Sequence, residues 1–172
     1  MKKKVLFLTT ISALFYGCGK DESKDYMYQN NFENYVDWGC NNFNTIHRGD
    51  AHSGNWCVEI DSVRIYGPTF LCKMKDLAVK NPQSVKLSAW IYLPSGKSKT
   101  EVTVSIGESG KSAILWGTLK TDDLIDSEKK WVHVSGEYEI PDNVNPDANF
   151  AVTEKCTGTD RVLIDDIAFD LE

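Results

Sequence analysis

From residue 29 onward the chain runs as short stretches of alternating apolar and polar side chains, each closed by turn residues. This pattern predicts strands over Gln29–Tyr35, Asn44–Arg48, Trp56–Val63, Thr69–Lys75, Val85–Leu93, Glu101–Ile106, Ala113–Leu119, Trp131–Tyr138, Asn149–Glu154 and Arg161–Phe169. The turns are marked by Tyr66-Gly-Pro68, Asn81-Pro82, Pro94-Ser-Gly96, Gly107-Glu-Ser-Gly110, Pro141-Asp-Asn143 and Thr157-Gly-Thr-Asp160. A helical turn is expected only over Asp122–Lys129, and no internal repeat is visible. So many short strands at this spacing predict an all-β fold, a two-sheet β-sandwich of jelly-roll type.

The phase of each run assigns its faces. Val85, Leu87, Ala89, Ile91 and Leu93 form one apolar face, and Lys86, Ser88, Trp90 and Tyr92 form the other. Val102, Val104 and Ile106 repeat the inward pattern. So do Val132, Val134, Tyr138 and Ile140, with Trp131 and His133 in the opposite phase. Trp56, Val58 and Ile60 alternate against Cys57 and Glu59. In the last run a strict period of two sends Leu163, Asp165, Ile167 and Phe169 inward, and places Asp165 and Asp166 on opposite faces. A lone carboxylate among apolar neighbours is costly, so Asp165 needs a partner. Glu33 and Asp50, toward the other end of the chain, are the candidates.

Composition narrows the class. The chain has 172 residues, with 19 basic against 25 acidic side chains. That length from residue 29 on is one domain, 29–172, able to bury a proper core. Without the lysines at positions 2–4, 16 basic residues face 25 acidic ones, a net charge of −9. This excludes nucleic acid as the expected partner and disfavours an anionic membrane surface. Neutral glycans are expected ahead of anionic ones, unless a local basic patch overrides the overall charge.

The N-terminus resembles a bacterial lipoprotein signal over residues 1–17. A basic Met1-Lys-Lys-Lys4 precedes an apolar Val5–Tyr16 stretch too short to span a bilayer, and Gly17-Cys18 follows. The resemblance implies lipidation of Cys18, contact with the membrane only through that anchor, and a place at the cell outer membrane, on its surface or periplasmic face. Residues 18–28 read as a flexible, charged tether. Its acidic start is similar to the export signal of surface lipoproteins in Bacteroidetes-type bacteria. Outside the cytoplasm, Cys40, Cys57, Cys72 and Cys156 are expected to form disulfides, in one of three connectivities.

Five segments occur in an order that resembles a known family. They are Asn31-Phe-Glu33 with Trp38, His52-Ser-Gly-Asn-Trp-Cys-Val-Glu-Ile60, Val85-Lys-Leu-Ser-Ala-Trp-Ile91, Trp131-Val-His-Val-Ser-Gly-Glu-Tyr138 and Ile164-Asp-Asp-Ile167. Together they look like the carbohydrate-binding modules of the galactose-binding-like jelly-roll type. The resemblance implies a structural calcium between the first strand, a nearby turn and the last strand. Its side-chain ligands would be Glu33, Asp165 and Asp50, with carbonyls near Asn31 and His52, an all-oxygen set of the kind calcium takes. Otherwise Asp165 pairs with Arg161, Arg48 or a hydroxyl, or faces solvent at a bulge. The resemblance also implies structural roles for Trp38, Trp56 and Trp131.

Sugar recognition requires flat apolar rings beside hydrogen-bonding groups. Trp90 and Tyr92 offer such rings, with Trp116, Tyr66, His133 and Glu101 able to join if their strands are neighbours. Trp90, Tyr92 and Trp116 are the expected glycan contacts. No histidine stands near a nucleophile motif, so no catalytic residue is expected. The reading is a non-catalytic carbohydrate-binding lipoprotein, its partner a glycan or polysaccharide. The alternative is a structural or protein-interaction lipoprotein with the same fold and no sugar site.

Overall fold

The structure is a computed structural model that describes residues 27–34, 38 and 41–172. The expected signal segment, Cys18, most of the expected tether and Cys40 lie outside the described residues. The strands are β1 (Met27–Asn30), β2 (Ile46–Arg48), β3 (Trp56–Ile60), β4 (Phe70–Lys73), β5 (Ser84–Tyr92), β6 (Thr100–Gly107), β7 (Leu115–Lys120), β8 (Trp131–Glu139), β9 (Asn149–Cys156) and β10 (Val162–Leu171). One short helix, α1 (Thr121–Leu124), opens the segment expected to turn helically.

The strands form two antiparallel sheets, as a jelly-roll sandwich requires. Sheet A runs β2-β3-β10-β5-β8, with β1 also paired to β10, and sheet B runs β4-β9-β6-β7. The inward faces assigned from the alternation meet between them. Val85, Leu87, Ala89 and Ile91 of β5 pack with Val102, Val104 and Ile106 of β6 and with Phe150 and Val152 of β9, all fully buried. One end of the core is aromatic. Phe70 lies 5.0 Å from Phe169 and 5.6 Å from Trp38, and Tyr28 stacks on Phe169 at 4.6 Å. Each such ring contributes about 1.5–3 kcal/mol by leaving water.

Strand β1 begins inside the segment assigned to the tether and ends at Asn30 rather than Tyr35. The cause is local. The Phe32 amide donates to Asn30 Oδ1 at 2.8 Å, and Phe32 takes a φ of 59°, which turns the chain out of the ladder.

Strand β10 departs most from the expected alternation. Its first half pairs with β3, its second half with β1, and β5 runs along its other side. A bulge falls between Asp165 and Ala168, where the two partners change over, and Asp166 has a φ of 46°. The extra residue inverts the phase. Val162 and Ile164 point into the core before the bulge, and Ile167, Phe169 and Leu171 after it. Leu163 and Asp165 therefore lie on the outer face, Asp165 opposite Trp90, although both are buried there.

The expected disulfides do not form among the described cysteines. Cys57, Cys72 and Cys156 are free thiols. Cys72 pairs with Phe150 in β9, six positions from Cys156, so the two are separated by roughly 20 Å along that strand. A disulfide needs its Cα atoms within about 7 Å. Cys57 belongs to the other sheet. Burial, reinforced by Asp165, Glu59 and Asp50, pushes its thiol up to about 12.

Candidate functional site

Two outer faces carry the expected site residues. On sheet A, the changeover in β10 leaves a gap that the segment between β2 and β3 fills. Asp165 Oδ2 accepts the amides of His52 at 2.9 Å and Ser53 at 3.0 Å, and its Oδ1 accepts the Asp166 amide at 2.8 Å. Burial still pushes the Asp165 carboxyl up to about 6, against the lowering by these amides and with Asp166 adding to the rise. Glu33 Oε1 accepts the amides of Asn55 at 2.6 Å and Trp56 at 2.7 Å. The Asn55 amide above all holds the Glu33 carboxyl below its ordinary value. Gly54, at a φ of 62°, lets Glu33 in; a Cβ there would meet its carboxylate.

The partners that Asp165 requires are thus three backbone amides, those of His52, Ser53 and Asp166. Arg161, the arginine nearest in sequence, instead binds Glu59 at 2.9 Å. Glu33 and Asp165 grip opposite ends of the same turn. Asp50 is exposed and completes no group with them. Among the described residues no three His, Cys, Asp or Glu side chains are gathered to hold a metal. The two carboxylates fit part of a calcium set, because the Asn55 and Trp56 amides both fall on Glu33 Oε1 and Asp165 Oδ1 accepts one hydrogen bond among the described residues.

The bulge also overturns the expectation that Asp165 and Asp166 are kept apart on opposite faces. Both converge on His52 and Ser53. Asp166 accepts from His52 Nδ1 and from Ser53 Oγ, each at 2.7 Å. The His52 ring held in this way stacks on Trp90, with centroids 3.8 Å apart and planes 15° apart. Trp131 stands edge-on to His52 at 5.7 Å, His133 is 5.2 Å from Trp90, and Tyr92 is 5.7 Å from Trp131. The Trp90 face that was expected to meet a sugar is occupied by His52. Tyr92 remains half-buried beside it.

Trp116 is elsewhere. It lies on the outer face of sheet B, so the structure does not bring it together with Trp90 and Tyr92. Antiparallel register sets Leu71, Ala151, Ser105 and Trp116 in one row across all four strands. Trp116 is 69% exposed and Leu71 61%. The next row is hydroxylic, with Thr153, Thr103 and Thr118, and Thr103 Oγ1 lies 3.1 Å from Thr118 Oγ1. The third row is Lys155, Glu101 and Lys120. Tyr66, 52% exposed, pairs with Lys155 through an isolated bridge and so flanks this row. Of the residues expected to join the site, Tyr66 and Glu101 share a face with Trp116, and His133 shares one with Trp90.

This face has the composition a glycan needs: large apolar groups at its edges and small hydroxyls across its floor. A sequence profile of a family described as carbohydrate binding domain matches residues 24–158. The chain belongs to that family. Its fold is similar to the C-terminal family 22 carbohydrate binding module of Clostridium thermocellum Xyn10B, at 16% identity over 89% of this chain and 96% of that one, TM-score 0.54. It is also similar to the CBM22-2 xylan-binding domain of Paenibacillus barcinonensis Xyn10C, at 12% identity over 84% of this chain and 99% of that one, TM-score 0.52. A comparison with curated proteins finds no match.

Leu71, Ser105, Thr103, Thr118 and Thr153 were not expected at the site. The run Glu101-Val-Thr-Val-Ser-Ile106 carries the signal, since two of its three outward positions, Thr103 and Ser105, are hydroxylic. What the sequence lacks is the order of strands that lines them up with Trp116.

Inside the sandwich one carboxyl has no hydrogen-bond partner among the described residues. Glu154 is fully buried and neither carboxylate oxygen makes a hydrogen bond among the described residues. Burial raises its pKa well above the ordinary value, opposed only by its own amide. A Cβ at Gly67 would collide with this carboxyl, which is why the chain passes it as glycine.

Proposed function

We propose that this protein binds a polysaccharide without cleaving it, through the outer face of sheet B. The observation that carries the reading is the row from Leu71 to Trp116, exposed at both ends and floored by Ala151 and Ser105. A sugar ring stacks on the tryptophan, and the threonine row meets its hydroxyls. Membership of a carbohydrate-binding family supports the ligand class. Xylan, named for the Paenibacillus neighbour, is the first probe. Trp90 and Tyr92 hold the fold of sheet A in this reading, because His52 covers Trp90.

The same proposal places the protein at the outer membrane by lipid on Cys18, supported by the basic and apolar leader before Gly17-Cys18. It also keeps a calcium ion, with Glu33 and Asp165 as side-chain ligands and Asp50 outside the set. That ion would fix the 52–56 turn and the His52 ring above it.

Titration of the purified protein with xylo-oligosaccharides tests the binding. Trp116→Ala is expected to weaken it about tenfold or more, a loss of about 1.4 kcal/mol, with stability within about 0.5 kcal/mol of wild type because the ring is exposed. Binding untouched by Trp116→Ala but removed by Tyr92→Ala would move the site to sheet A. No binding to any glycan set would favour the structural alternative. Labelling with a palmitate analogue that persists in Cys18→Ala would refute the anchor.

A further inference from the structure

The charge of this protein is divided between its sheets. The strands of sheet A carry Arg48 and Lys86 against Glu59, Glu137, Glu139, Asp165, Asp166 and Asp170. The outer face of sheet B carries Lys73, Lys120 and Lys155 against Glu101 alone, Glu154 being turned inward and buried. A chain with an overall charge of −6 thus sets three lysines against one glutamate on the outward strand positions of the proposed sugar face.

Two of these lysines have an ordinary explanation. Lys73 and Lys120 sit on β4 and β7, the edges of sheet B, where lysine discourages pairing with other chains. Lys120 also lies 3.9 Å from Glu101, and Lys73 donates to Asn149 Oδ1 at 2.7 Å. Lys155 has neither reason. It is on β9, an inner strand, it is exposed, and it makes no ion pair or hydrogen bond through its side chain among the described residues. Its neighbours on that face are Glu101, directly across the strand pair with its carboxylate 3.9 Å from Lys120, Tyr66, through the bridge, and the hydroxyl of Thr153 one same-face step away.

We propose that the glycan bound by sheet B is anionic, with its charge carried on the sugar rings as carboxylate or sulfate, and that Lys155 beside Tyr66 is the subsite that receives it. The inference rests on the reading of sheet B as the glycan face. A ring lying against Tyr66 sets a ring-borne anion within reach of the Lys155 ammonium. Ala151, in the Trp116 row, and Lys155 are four residues apart on β9, roughly 13 Å. A ligand engaging both Trp116 and Lys155 is therefore a chain of several rings, not a monosaccharide. The surrounding acidic surface restrains other polyanions: a nucleic acid long enough to reach past sheet B meets repulsion.

The test compares xylohexaose, oligogalacturonate of similar length, a sulfated oligosaccharide and single-stranded oligothymidylate on the purified protein. The uronate ligand is expected to bind about two- to fivefold more tightly than the neutral one at about 0.01 M salt, the range of an exposed ion pair. That advantage should vanish near 1 M salt. Lys155→Gln should remove that preference for the charged ligand, and Trp116→Ala should weaken both ligands. Equal strength for the sulfated ligand supports a general anion subsite, and weaker binding a carboxylate one. If neutral and charged ligands bind alike and Lys155→Gln changes neither, the anionic subsite is refuted and the sugar face stands. If Trp116→Ala changes neither, both fall. Preference for the oligothymidylate over every glycan also overturns the proposal.

Discussion

Glu154 gives the sharpest test of the core. Its carboxyl is fully buried and takes no hydrogen bond from any described group, so the fold admits it as the neutral acid. A group whose pKa is raised on folding contributes stability that is fully present below its unfolded value, here 4.5, and lost as pH rises toward the folded value. For every pH unit over which Glu154 stays protonated in the fold, wild type loses about 1.4 kcal/mol relative to a variant that cannot ionise there. In a chain of this size that is a Tm difference of about 3–6 °C per pH unit. Glu154→Gln is the comparison. Its amide also lacks a partner, so it carries a pH-independent cost of about 1–3 kcal/mol. The slope of the difference, and not its offset, reads the buried acid. Urea denaturation of both proteins from about pH 4.5 to about pH 7, repeated by thermal melting, supplies it. Parallel stability curves would show that Glu154 ionises freely in the folded state, and the account of its burial would be wrong.

Other outcomes follow from the same packing. Gly117→Ala drives a methyl group into the Tyr138 ring across the core and should cost about 1–3 kcal/mol by urea denaturation; an unchanged midpoint would mean the sheets slide apart freely. Asp166→Asn weakens the hold on His52, so tryptophan fluorescence should change as Trp90 is uncovered, with a loss of about 1–3 kcal/mol; an identical spectrum and midpoint would deny the clamp. Calcium at about a hundred times its Kd should add about 2.7 kcal/mol, lost in chelator and absent in Glu33→Gln and Asp165→Asn. A melting curve indifferent to chelator, with no calcium in elemental analysis, would remove the ion from the proposal.

Strand positions were legible because alternation is local: the inward sets of β5, β6 and β8 follow from residue order alone. Three things were not local. The phase of β10 depends on two different strands sharing one of its edges, which forces the bulge at Asp165 and Asp166. Whether Trp116 stands beside Trp90 depends on which sheet takes β7, and turn residues do not encode that. The fate of the Trp90 face depends on His52, brought more than a hundred positions along the chain to Asp166 by the same bulge. The chemistry of Asp165 was read correctly as a need for partners, but amides satisfy that need as well as cations do, and a sequence has no mark for them.

The place of β10 also bears on when the molecule can fold. Three strands, β1, β3 and β5, find their hydrogen-bond partner in it, and Met27 is set opposite Asp170. Until residues 162–171 are available, β3 keeps only the three-residue β2, β5 keeps only β8, and β1 has no partner among the described strands. Pairing over such distances along the chain is slow, because loop closure precedes any contact that rewards it. In a growing chain, sheet A therefore stays unfinished until residues 162–171 have emerged.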